Sequence, residues 1–143
     1  MRAALLFVLA TFTVAADEPK DDKLKDALKK LEGTWVVDSA VDSGEGIGSE
    51  LNWEWVFDGN KITRQNPQGG ETQEFTYKID PTVSPMAFDL TWPKEKFTCS
   101  CIYEIKGDTL RICMSKLKPD ERPTKFTDTD VGYCLMVLKR PKH

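Results

Sequence analysis

Residues 97–114 read "FTCSCIYEIKGDTLRICM", two runs of alternating apolar and polar residues hinged on Gly107 and Asp108. A short turn of small, flexible residues between two such runs is a β-hairpin signal. With Gly107 and Asp108 as the turn, Ile105 faces Leu110, Glu104 faces Arg111, Tyr103 faces Ile112 and Ile102 faces Cys113. Every cross-strand pair then matches in kind, and one is an opposite-charge pair. A slip to a three-residue loop brings Cys101 opposite Cys113 but sets Glu104 beside Leu110 and Tyr103 beside Arg111. A slip of one residue turns every side chain to the other face, so the apolar pattern selects the first register.

The period of two continues on both sides of this hairpin. Eight strands are expected, at about 34–41, 51–58, 61–66, 71–79, 86–92, 97–106, 109–115 and 132–140. Turn chemistry separates them: "DGN" at 58–60, "PQGG" at 67–70 and the stiffer "DPTVSP" at 80–85, with a flexible loop, "SGEGIGSE", after the first strand. Phe75, Tyr77 and Ile79 alternate with Glu74, Thr76 and Lys78, giving one dry and one wet face, as in antiparallel sheets. An open sheet of eight strands would expose two edges, and closure removes both. The expected fold is therefore all-β, an eight-stranded antiparallel up-and-down barrel. It is preceded by a short N-terminal helix at 23–31, where Leu24, Ala27, Leu28 and Leu31 form one apolar stripe and Gly33 supplies the stop. The last strand, "YCLMVLK", is apolar on both faces, and this helix is the amphipathic element available to cover its outside.

"LEGTW", with Gly33 and Trp35, resembles the Gly-x-Trp that opens the first strand of lipocalin and calycin barrels. The resemblance implies a basic side chain from the end of the last strand stacked on that tryptophan. Arg140, with Lys139 as its rival, takes that structural role here, in a cation–π contact of about 0.5–2 kcal/mol. "FDGNKIT", "IDPTVSPMAFDLT", "IYEIKGDTLRIC", "ERPTKF" and "LMVLKR" follow in order along residues 57–140. Together with "LEGTW" they resemble the lipocalin-like domain family found in secreted planctomycete proteins. That family implies a fold and an export route and supplies no catalytic or binding residues. The "CSC" segment and the pair Trp53 and Trp55 depart from its pattern.

The opening "MRAALLFVLATFTVAA" has a charge at Arg2, an apolar run and small residues before Asp17, the layout of a secretory signal cleaved after Ala16. The run is shorter than the roughly 20 residues of a membrane span. The expected organisation is a signal peptide at 1–16, a disordered stretch at 17–22, one barrel domain at 23–140 and a tail at 141–143, in a secreted or periplasmic protein. With 20 basic and 23 acidic residues scattered through strands and loops, no basic footprint for nucleic acid is present.

Export favours oxidised thiols. In the selected register Cys99 and Cys101 point to the dry face and Cys113 to the wet one. Cys113–Cys134 is the preferred disulfide, with Cys99 and Cys101 as buried thiols the competing reading. A structural zinc site needs four converging donors, yet Cys113 points away and the one histidine, His143, ends the chain, so neither a metal nor a cofactor is expected. The same histidine offers a cysteine or serine nucleophile no base, so no catalytic residue is assigned. "GEGIG" at 44–48 opens no helix and lacks the Lys-Ser/Thr ending of a phosphate loop.

The expected dry face is heavy with aromatic rings. Trp53, Trp55, Phe75, Tyr77, Phe88 and Tyr103 are the candidate ligand-binding residues, and no charged residue is expected to alternate among them. An eight-stranded barrel either fills with its own side chains or holds one small molecule. Two functions follow: a carrier of a small apolar molecule, or a filled, non-catalytic interaction module that contacts a protein or cell-envelope partner.

Overall fold

The computed structural model of the chain describes residues 18–142. The segment 1–16 read as an export signal, and His143, lie outside the described residues. Helix α1 (Glu18–Leu31) leads into β1 (Gly33–Asp42), a two-residue strand β2 (Glu45–Gly46), and a 3-10 turn at Gly48–Glu50. β3 (Glu54–Asp58), β4 (Lys61–Gln65), β5 (Gln73–Asp80), β6 (Met86–Trp92), β7 (Phe97–Lys106), β8 (Thr109–Ser115) and β9 (Tyr133–Lys139) complete the chain. β1 and β3 to β9 pair in sequence, each antiparallel to the next, and β1 pairs with β9. The result is a closed eight-stranded barrel, with β2 folded back on β1 as a flap.

The β7–β8 hairpin has the register that its side chains select, Ile105 with Leu110 through Ile102 with Cys113. On its outer face the Arg111 guanidinium donates to Glu104 at 2.8 Å. β1 alternates Trp35 and Val37 inward, then a bulge between Val37 and Ser39 shifts the pairing with β9 and turns Ala40 inward instead of Ser39. The "SGEGIGSE" stretch is folded: Val41 pairs with Gly46, Ile47 donates its N–H to the Ala40 carbonyl at 2.7 Å, and Gly44, with φ at +87°, donates to the Asp128 carbonyl at 2.6 Å.

Two expectations about α1 are corrected. It begins at Glu18, so 18–22 belongs to the helix and is not a disordered leader. Lys29 and Lys30 in its last turn lie favourably at the negative end of the helix dipole. It also does not shield the outside of β9. Leu31 is fully buried and Leu28 packs against the barrel core, so α1 stoppers one end of the barrel. Leu135 and Val137 on the outside of β9 stay partly exposed. They sit opposite Cys113 and Arg111 of β8, over which the 116–132 segment runs.

The stoppered end is held by one cluster. Trp35, 1% exposed, donates its indole N–H to the Leu31 carbonyl at 2.8 Å. The Arg140 guanidinium lies 3.8 Å over the Trp35 ring and donates to the Thr34 and Lys30 carbonyls at 3.0 and 2.8 Å. Lys139 pairs with Asp38 instead. Gly33 has φ at +103°, a conformation that favours glycine, and a Cβ there would crowd Arg140 Nη1 at 3.1 Å. Replacing Trp35 by alanine should lower the urea-unfolding free energy by about 3–5 kcal/mol, and Arg140→Leu by about 1–3 kcal/mol, through the lost cation–π contact and two orphaned carbonyls. A loss under about 1 kcal/mol for Trp35→Ala would show that the cluster does not carry this end of the barrel.

Candidate functional site

The barrel interior divides into two halves. Next to α1 it is filled by rings: Tyr77 stacks on Phe88 at 5.5 Å between centroids, and Phe57 and Tyr103 meet these rings edge-on at 5.3 and 5.8 Å. At the opposite end a cavity of about 250 Å³ opens to solvent. Trp55, Phe75, Leu90 and Trp92 form one wall, and Met114, Cys134 and Met136 form the wall across from it. Ala40 and Ile47 close the side under the flap, and Glu50, Arg64, Gln73 and Lys116 stand at the mouth.

Strand parity explains this lining. Trp55 pairs with Arg64 and Phe57 with Ile62, so Arg64 comes to the inward face one step above Ile62. The expectation that no charged residue alternates into that face is therefore wrong at Arg64. Its charge is matched locally: the guanidinium bonds the Glu50 carboxylate, donates to Gln73 Oε1 at 2.6 Å and lies 4.0 Å over the Trp53 ring. Lys116 likewise donates to Asp42 at 2.6 Å, a contact that holds the Asp42 carboxyl below its ordinary value and raises the Lys116 ammonium.

Of the six candidate ligand residues, Trp55 and Phe75 line the cavity. Trp53 sits at the rim, its indole N–H donating to the Ser49 carbonyl at 2.8 Å and its ring carrying Arg64. Tyr77, Phe88 and Tyr103 belong to the filled half, and Tyr103 reaches only a second hollow, beneath α1 with Met86 and Ile105. Arg64, Met114 and Met136 were not identified from sequence. Counting alternation outward from the "DGN" and "KGD" turns would have found Arg64 and Met114. Ala40 was out of reach, because it depends on the bulge.

The expected Cys113–Cys134 bridge is not formed, and all four thiols are free. Cys113 pairs with Leu135 and Cys134 with Met114, one step apart, so the two thiols stand on opposite faces of the sheet. Cys113 lies outside, donating to the Thr127 and Lys125 carbonyls at 3.6 and 3.8 Å under the 116–132 segment. Arg122 pins that segment, donating to the Cys101 carbonyl at 2.6 Å and to Asp89 at 2.7 Å. Inside, Cys101 donates to the Cys99 carbonyl at 3.6 Å, and its neighbour Cys99 together with burial pushes the Cys101 thiol well up. Burial pushes the Cys134 thiol up to about 11.

Trp55 Nε1 and the hydroxyls of Tyr77 and Tyr103 are buried without hydrogen-bond partners among the described residues. No family model, curated protein or solved structure matches the chain.

Burial raises both phenols from the ordinary 10.0 to about 12. The unfolded chain therefore releases these protons first as pH rises. The stability that the neutral phenols confer is whole below about pH 10 and is lost as pH climbs through about 12. The double variant Tyr77→Phe/Tyr103→Phe should lose urea resistance less steeply than the parent across that window. Parallel pH profiles for the two proteins would mean that the hydroxyls do not titrate with folding.

Proposed function

We propose that the chain is a secreted or periplasmic lipocalin-like carrier, exported by cleavage after Ala16, that holds one small apolar molecule in the mouth cavity. The observation that carries this reading is the unequal filling of the barrel. Protein interiors pack to crystal-like density, and space lined by apolar atoms forfeits contacts on every side. One half of this interior is packed with rings while about 250 Å³ stands open between Trp55, Phe75 and Trp92 on one side and Met114 and Met136 on the other. The volume lies below the roughly 300–1,000 Å³ of drug-sized sites, which suits a fused aromatic ring system or a short acyl chain. The resemblance to the planctomycete lipocalin-like family supports both the calyx and the export route.

No catalytic activity is assigned. The two carboxylates nearest the cavity, Glu50 and Asp42, are each committed to a cation, Arg64 and Lys116. The alternative function, an interaction module for a protein or cell-envelope partner, is favoured by Leu117 and Val131. They are 71% and 78% exposed and flank the strap where Lys116 donates to the Gly132 carbonyl at 2.6 Å.

Titration with N-phenyl-1-naphthylamine, a flat neutral fluorophore, tests the carrier reading. The parent should bind one equivalent with quenching of tryptophan fluorescence, and Ala40→Phe, which fills the cavity from β1, should weaken binding at least about tenfold, about 1.4 kcal/mol. An unbound probe, or equal affinity for both proteins, would move the assignment to the interaction module.

A further inference from the structure

The wall of the cavity opposite the aromatic rings is built of sulfur. Met114 of β8 is the direct cross-strand partner of Cys134 of β9, and Met136 follows Cys134 by two residues on the same face. All three line the cavity. Directly paired side chains place their Cβ atoms about 4.5–5.5 Å apart, and i, i+2 neighbours stand about 6.6–6.8 Å apart along a strand. A methionine has three rotatable bonds, so both thioethers can swing onto one point beside the thiol.

Cys134 differs from the other cysteines in its bonding. Cys99 donates to the Ser115 carbonyl, Cys101 to that of Cys99 and Cys113 to those of Lys125 and Thr127. Cys134 is 6% exposed, faces the cavity and donates to no acceptor among the described residues. It is a nearly buried polar group whose cross-strand partner, Met114, and i+2 neighbour on the same face, Met136, both carry thioethers.

We propose that Met114, Cys134 and Met136 form a three-sulfur site for a soft monovalent cation of the copper(I) and silver(I) class. On binding, the Cys134 S–H bond breaks, its proton passes to solvent, and the thiolate sulfur ligates the ion. The two thioether sulfurs donate lone pairs, and no electron is transferred. A thiolate and a monovalent ion sum to zero charge, which an apolar wall accepts. A divalent ion would leave a net positive charge there at a large desolvation cost. Thiolate and thioether donors select copper(I) over the harder ions. Among the described residues no three His, Cys, Asp or Glu side chains converge, so the donor set for zinc is lacking. Asp42 and Glu50, the nearest carboxylates, are held by Lys116 and Arg64.

The test is anaerobic titration of the reduced protein with copper(I) alone, in competition with the chromogenic chelator bicinchoninate. The parent should withdraw one equivalent from the chelator. Met114→Leu/Met136→Leu, which conserves volume, should weaken binding at least tenfold, Cys134→Ala should abolish it, and Cys113→Ser should leave it unchanged. X-ray absorption of the loaded parent should count three sulfur scatterers. The proposal is overturned if the parent withdraws no copper, if the double leucine variant binds as the parent does, or if the loss follows Cys113. The copper site is read by sulfur scattering and by the response to the leucine and alanine variants, and the carrier site by naphthylamine fluorescence, so the two readings can fail separately.

Discussion

The pairing of β1 with β9 is the constraint on which the remaining structure rests. Once the first and last strands meet, the sheet has no edge and every strand must present alternate residues to one interior. The chain ends are then clasped at the same place: Arg140, one residue beyond β9, lies on Trp35 of β1 and satisfies carbonyls of both β1 and α1. Gly33 leaves the room this approach needs. The Gly-x-Trp pattern thus has a physical content, a backbone conformation and a ring surface matched to one guanidinium.

Closure also fixes how the interior is shared. Toward α1 the inward positions carry Phe57, Tyr77, Phe88 and Tyr103, whose edge-on and stacked contacts fill the space. Toward the mouth the aromatic positions lie on β3, β5 and β6, while β8 and β9 contribute methionine and cysteine. Flat rings face polarizable sulfur across a void that neither wall fills. The cations at the mouth are neutralised in place by Glu50 and Asp42, so the opening is polar without a net local charge from these two pairs.

The 116–132 segment completes the outer face. Arg122 ties it to Asp89 and to the Cys101 carbonyl, and Arg111 lies 4.3 Å over the Phe126 ring. Underneath, Cys113 becomes a buried thiol on a strand face that reads as wet. That covering explains how Ile102 and Cys113, paired on the outside of the hairpin, can both be fully shielded from solvent.

The sequence alone determined the eight barrel strands, the β7–β8 register, the inward set around Phe75, Tyr77 and Tyr103 and, through the need to remove edges, the closed barrel. These follow from period-two patterning and turn chemistry, which act between residues close in the chain. It also held the place of Arg64, since alternation from the "DGN" turn puts it inward beyond Ile62. What required the tertiary structure was everything set by contacts distant in sequence. The bulge at β1, the helix seated in the barrel end instead of against β9, and the opposite facing of Cys113 and Cys134 are of this kind. Each depends on how two remote segments meet, and the local pattern is the same whichever way they do.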